Sequence, residues 1–525
     1  MQNTFSVSEL LSNWPTYPEW RDKSPYPHTL VVHPQHPNAS DEHSGTQEAP
    51  LRTLQAASDR AVPGTLIRIH EGVYRECVRP AQGGSGPEAM IRYQAVPGEK
   101  VEIRGSVKLS LDWSRPRPWE PEHQGPEKPL PALSQHTWFA SFPQQLFPAG
   151  YDALTLQNVL PGEIPLMKWM EPVQEYPPYS LPRVMLFQDG SRLMQLHHPG
   201  DVPRVPGSFW VDQAERRIML HPRGEAHPDE AELELAVQPH LFCPQRLGLN
   251  YIALEGLHFA HCANGFLRAS TGAVTTRGGS YWVIEDCDIS ECNSSGLEFG
   301  DHPFEYQQDH PERTDWQYRG EGHHLIRRNH IHHCGTAGMR CLHVTATRVT
   351  NNHIHDCGWQ EAEYYYECAG IKLLCTEQCL VADNRIEDIT GGCGIWLDWD
   401  NKGSRATRNR ISRVSGFQGG IFLEASREPN LIDHNLIEEI DGPGIFGGDS
   451  SNQLYLKNWV GPCSGPGIDL HCHTDRLINN VPVSCTKNQV LGNTFHQCGE
   501  NVVQEEGNVI VLESASHARA MTNHR

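Results

Sequence analysis

Two acids stand out because their surroundings repeat. Asp398 closes the run Gly394-Ile-Trp-Leu-Asp398, and Glu424 closes Gly420-Ile-Phe-Leu-Glu424. The same frame recurs as Gly370-Ile-Lys-Leu-Leu374 and Gly467-Ile-Asp-Leu-His471. In each run the first and third residues after glycine are Ile or Leu, the pattern of an extended strand with one apolar face. The second and fourth residues then share the outer face. Down consecutive repeats the fourth position reads Leu374, Asp398, Glu424, Gly448 and His471. Asp398 and Glu424 are therefore expected on neighbouring strands, about 4.8 Å apart at the backbone. Like charges stacked in a sheet destabilise it, yet such a pair lets an acid and a nucleophile coexist. A retaining glycosidase needs two carboxyls about 5–5.5 Å apart, and an inverting one needs room for a water between them. The spacing favours retention.

A single outward acid on such a wall is usually just solvated. Here aromatic residues share the face. Trp396 and Phe422 hold the second outward position, and Trp399 and Asp400 follow Asp398 directly. Exposed rings beside paired carboxyls suit a sugar, which offers apolar faces and hydroxyl edges. Lys372 and His471 fall in the same two columns as further candidates for contact with substrate.

The elements that must position these groups are legible as a repeat. Asn-x-Ile or Asn-x-Phe recurs at Asn329-His-Ile331, Asn352-His-Ile354, Asn384-Arg-Ile386, Asn409-Arg-Ile411, Asn435-Leu-Ile437 and Asn493-Thr-Phe495. From Gly370 onward the glycines that open the strands are spaced 24, 26, 24 and 23 residues apart. A period of that length, made of short strand-like runs and turns, indicates a β-solenoid. Three residues after the motif Ile stand Cys334, Cys357, Ile389, Val414 and Ile440, and Cys498 follows Phe495 in the same way. Cysteine alternating with Ile and Val behaves as a small buried apolar residue in an internal ladder. His332-His333-Cys334 and His353-Ile-His355 have spacing that suggests metal ligands. They occupy repeated positions, so the expectation is a ladder and no metal site; structural Ca²⁺ is conceivable but not indicated, and no cofactor is required.

The chain has 525 residues, 38% hydrophobic and 20% charged, with 46 Gly and 39 Pro, which suits a turn-rich globular protein. A formal net charge of -21 argues against nucleic acid or an anionic membrane as partner and fits a neutral oligosaccharide or glycoside. The start lacks a basic and then apolar leader, so a cytoplasmic location is expected; a homo-oligomer is compatible. Residues 1–106 read as an N-terminal cap, with a helix over Pro50 to Val62, and the first rungs. Residues 107–240 read as an inserted β-rich, sandwich-like domain, and 241–525 as the main right-handed parallel β-helix carrying the site.

At these residues the sequence resembles glycoside hydrolase family 120, the β-xylosidases built on a β-helix with an intervening β-sandwich. Gly72-Val-Tyr-Arg-Glu76 with Gly83-Gly84, Glu99-Lys-Val-Glu-Ile-Arg-Gly105, Glu367-Cys-Ala-Gly-Ile-Lys-Leu373, Gly394-Ile-Trp-Leu-Asp-Trp399 and Phe422-Leu-Glu424 follow in the family's order. The resemblance implies that Asp398 is the nucleophile, Glu424 the general acid/base, and Glu367 a holder of sugar hydroxyls. It implies an exo-acting retaining enzyme that releases a monosaccharide, xylose first, with arabinose, fucose or another monosaccharide open. Two other classes compete. A β-helix polysaccharide lyase would use Lys372 as base and Asp398, Asp400 and Glu424 around Ca²⁺, and a non-catalytic carbohydrate-binding protein would need no chemistry at all.

Overall fold

The computed structural model describes residues 6–115, 136–156, 183–225, 227–265, 272–300, 322–359, 368–416, 418–478 and 480–511. The chain is a right-handed parallel β-helix. Three parallel sheets wrap one core, with 13, 11 and 9 strands among the described residues. Each complete coil gives one strand to each sheet, for example Leu380–Ala382, then Arg385–Thr390, then Gly392–Leu397. The next coil repeats this with Arg405–Thr407, Arg410–Ser415 and Ile421–Glu424.

The Asn of the sequence motif makes the corner between the first and second sheets. The residue before it takes a left-handed conformation, as in Asp383 (φ 59°), Arg408 (φ 53°) and His434 (φ 53°), which swings the chain into the new sheet. The buried Asn side chains then bond to one another from coil to coil. Asn384 donates through Nδ2 to Asn409 Oδ1 at 2.9 Å and to the Val349 carbonyl at 2.9 Å. The ladder runs through Asn329, Asn352, Asn384, Asn409, Asn435, Asn458 and Asn493. Asn458 belongs to it although Trp459-Val460 hides the motif. Each rung satisfies buried polar atoms that would otherwise cost free energy.

A second left-handed residue explains the cysteines. Strict alternation would send Ile386 and Ile389, three apart, to opposite faces. Asp388 (φ 55°) between them restores the inward direction, and Asp356 (φ 52°) does the same before Cys357. Cys357 pairs with Ile389, Ile389 with Val414, and Val414 with Ile440 in the ladders. All sixteen cysteines are free thiols. The opening glycines answer a different constraint. A Cβ on Gly394 would lie 2.5 Å from Ile411 Cγ2 and 2.7 Å from the Gly420 carbonyl oxygen, so the close packing at this opening position of the strand admits only glycine.

The predicted helix forms over Leu54–Arg60, capped by Thr53 and by Glu76, whose carboxyl accepts the Leu54 and Gln55 N–H groups at 2.9 Å each. It buries Leu54 and Ala57 over the end of the core. An unforeseen helix, Val7–Asn13, lays Leu10 and Leu11 against Leu431, Leu454 and Leu456 on the outside of the first sheet. Between Val101–Arg104 and Ile252–Glu255 the coil is interrupted, among the described residues, by two four-stranded sheets with their own apolar core. Buried Glu234 ties this insertion to the β-helix through Arg75, Arg104 and His261, and also accepts from Ser106 of its own sheet. Those partners hold its carboxyl far below the usual range although burial opposes it. Among the described residues no helix is long and apolar enough to cross a membrane.

Candidate active site

The third sheet sets the site. Trp396 pairs with Phe422 and Leu397 with Leu423. One step further along this register places Asp398 opposite Glu424, which itself pairs with Gly448. The two acids thus hold the same position on consecutive coils, as their spacing predicts. Asp398 is 3% exposed and Glu424 is 7% exposed, so neither is a solvated surface acid.

Each acid has its own cation. Lys372, on the coil before Asp398, is itself buried and puts Nζ 2.8 Å from Asp398 Oδ2. The Trp399 backbone N–H donates to Asp398 Oδ1 at 2.7 Å. Glu424 Oε1 accepts from Arg476 Nη2, and Oε2 accepts from Trp396 Nε1 at 3.1 Å. Trp396 joins the two halves, because the Lys372 ammonium also lies 3.6 Å from the centre of its ring. Burial works against the Arg476 charge. Glu424, then Asp398 and Asp449, nonetheless raise the guanidinium above its ordinary value.

Arg476 and Asp449 carry no signal in the repeat, and sequence reasoning missed both. Arg476 lies in the irregular stretch after Ile468–Leu470, where neither glycine nor Asn marks a register. Fully buried Asp449 follows Gly448 in a left-handed conformation (φ 56°). Its Oδ1 accepts the N–H groups of His473 at 2.9 Å and Thr474 at 3.2 Å. Its Oδ2 lies 3.6 Å from Arg476 Nε, which also donates to Thr474 Oγ1 at 3.0 Å. The turn that delivers Arg476 to Glu424 is built on this one carboxylate. Burial holds His473 in the same turn below its usual value, with Asp449 opposing and Arg476 and His471 reinforcing.

The other expected contacts divide. Trp399 is exposed, at 37%, beside Asp398. Trp396 and Phe422 are not exposed as expected. They are buried in a row with Phe446, with ring centres 5.2 Å and 4.9 Å apart, because side chains at one register position stack from coil to coil. Trp396 therefore acts as a hydrogen-bond donor and a floor. Asp400 turns away to Arg427, at 3.1 Å. His471 bonds Asp469 at 2.8 Å and packs its ring 5.0 Å from Phe446. Glu367 lies outside the described residues.

The family model described as right handed beta helix region matches residues 313–460. A structure of XylC in complex with xylose is similar in fold, with a TM-score of 0.68 and 20% identity over 92% of this chain and 86% of that one. An uncharacterized protein, YwoF of Bacillus subtilis (strain 168), is 35% identical over 80 residues, 15% of this chain. That match spans only 17% of the relative's length. The family model and the likeness to XylC agree with the geometry on one conclusion, that the chain folds as a right-handed parallel β-helix.

Proposed function

We propose that this protein is a retaining glycoside hydrolase that releases a monosaccharide from the end of a neutral glycoside, in the manner of the β-xylosidases of glycoside hydrolase family 120. The observation that carries this is the placement of Asp398 and Glu424 at one register position on adjacent coils, both buried and each beside its own cation. Adjacent parallel strands hold such side chains close to the separation a double displacement requires. Asp398, oriented by Lys372 and the Trp399 N–H, attacks the anomeric carbon. Glu424 gives its proton to the leaving oxygen and later takes one from water. Both Glu424 oxygens accept hydrogen bonds at rest, so the acid step requires Arg476 to turn aside as the leaving group enters. Exposed Trp399 offers a face to the sugar. XylC, which shares the fold, is described with xylose bound, and this favours a pentose.

The lyase reading is weaker, because the acids it needs for a cation are engaged: Asp398 by Lys372, Glu424 by Arg476, and Asp400 by Arg427. Lys372, its base, is spent on Asp398. A panel of nitrophenyl xylosides, arabinosides and fucosides tests the proposal, with NMR of the first-formed anomer. Retention is expected, with loss of turnover in Asp398→Ala. In Glu424→Ala a loss of about 10²–10⁴-fold is expected for poorly activated leaving groups. Inversion, an unsaturated product, or an undiminished rate in Asp398→Ala would overturn it.

A further inference from the structure

The histidines that flank the buried cysteines of the second sheet point outward. Strands His330–Cys334 and His353–Cys357 pair with His330 opposite His353 and His332 opposite His355. Residues two apart in a strand share a face, so four imidazoles form a square on the outer wall of the second sheet. His332 and His355 stack with ring centres 5.0 Å apart.

Within the square, His330 Nε2 and His355 Nε2 lie 2.7 Å apart. Each ring is held from behind by a carboxylate. His330 Nδ1 is 2.8 Å from Asp288 Oδ2, and His355 Nδ1 is 2.6 Å from Asp356 Oδ2. An ionised carboxylate only accepts, so in the neutral rings Nδ1 carries the proton and the two Nε2 atoms turn lone pairs toward each other. At that distance two lone pairs repel, so the contact holds either with one shared proton, as an Nε2–H···Nε2 bond, or with the rings turned slightly apart around a metal ion. The His353 ring stands close by, its centre 5.2 Å from that of His330 and 4.6 Å from that of His355. Its Nε2 is 2.8 Å from Glu387 Oε1. One ligand atom from each of these three histidines lies within 4.8 Å of the other two. Small ring rotations bring such atoms to the nitrogen separation of about 3.3 Å that metal–nitrogen bonds of about 2.0–2.1 Å impose in a tetrahedron.

We infer that His330, His353 and His355 bind one divalent transition-metal ion of the zinc class, with Asp288, Asp356 and Glu387 orienting the rings. Carboxylates behind ligating imidazoles are the usual outer support of such centres, and imidazole donors select zinc, nickel or copper over magnesium or calcium. The ion staples two consecutive coils. The inserted domain sits beside this wall, where Arg192 pairs with Glu291 at 3.1 Å and lies 3.7 Å over Trp359, whose Nε1 donates to the His333 carbonyl at 2.9 Å.

The test uses the untagged full-length chain, stripped with chelator and dialysed against Zn²⁺ with a weak competing ligand. Metal content is then measured per chain. One equivalent is expected in the native protein and none in the His330→Gln/His355→Gln double variant. Asp356→Asn, which keeps every ligand, should bind about 10–100-fold more weakly. Co²⁺ in place of zinc should give a tetrahedral spectrum without thiolate charge-transfer bands. No zinc in the native protein, equal zinc in the double variant, or thiolate bands would each overturn the assignment. Should the double variant fail to fold, the Asp356→Asn affinity and the cobalt spectrum decide the question.

Discussion

Exchanging Lys372 for methionine tests the electrostatic centre of the proposed site. The ammonium and the Asp398 carboxylate are 2.8 Å apart and both nearly inaccessible. At an effective dielectric near 20 their gross attraction is about 6 kcal/mol. Removing both charges from water offsets much of that, so the pair as a whole adds little over an apolar pair of similar size. Removing one partner is different, because the other charge stays buried. Lys372→Met and Asp398→Leu are each expected to cost about 3–5 kcal/mol. The double variant should cost at least about 2 kcal/mol less than the sum of the two, since neither charge is then stranded. Guanidinium unfolding followed by tryptophan fluorescence gives these values from the midpoint shift and a common slope. A Lys372→Met cost below about 1 kcal/mol, or strict additivity in the double variant, would refute the claim that this ion pair organises the site.

Three further outcomes are expected. Burial holds His324 at about 3 against an ordinary 6.5, with Nδ1 accepting the Trp282 N–H at 3.3 Å. The unfolded chain therefore takes up a proton that the folded chain refuses. This contribution is intact above pH 6.5 and is lost as pH falls toward 3, by about 2 kcal/mol between pH 7 and pH 5. His324→Gln should flatten the pH dependence of the unfolding midpoint by that amount, and an unchanged slope would contradict it. Asp449→Ala should release the turn that carries Arg476, so that brief trypsin treatment cuts after Arg476 in the variant and spares the native protein. Asn409→Ala removes the partners of Asn384, Asn435 and the Val381 carbonyl at once. It should cost about 2–4 kcal/mol, and a cost near zero would show that the ladder is not what holds the coils.

Much of the β-helix was legible because a solenoid repeats its physics in its letters. The Asn of each corner and the glycine of each third-sheet strand recur because the same ladder bond and the same close approach recur. The acids could be placed on one wall because that strand alternates without interruption from Gly394 to Asp398 and from Gly420 to Glu424. In the second sheet the cysteines were legible as core from their exchange with Ile and Val, whereas the cluster of outward histidines was not. A left-handed residue inside its strands resets the alternation, so the cysteines face the core while the neighbouring histidines face out.

What the sequence by itself determined is therefore the coil, its period, and the fact that Asp398 and Glu424 share a register position. These follow from local rules that each turn of chain obeys on its own. What only the tertiary structure decided is which charges meet those acids and which rings are covered. Lys372 reaches Asp398 from the coil before, and Arg476 comes back to Glu424 from a turn 52 residues away that carries no repeat. Trp396 sinks into a stacked row while Trp399 stays open. Partners of that kind depend on where irregular segments return in space, and spacing along the chain does not encode it.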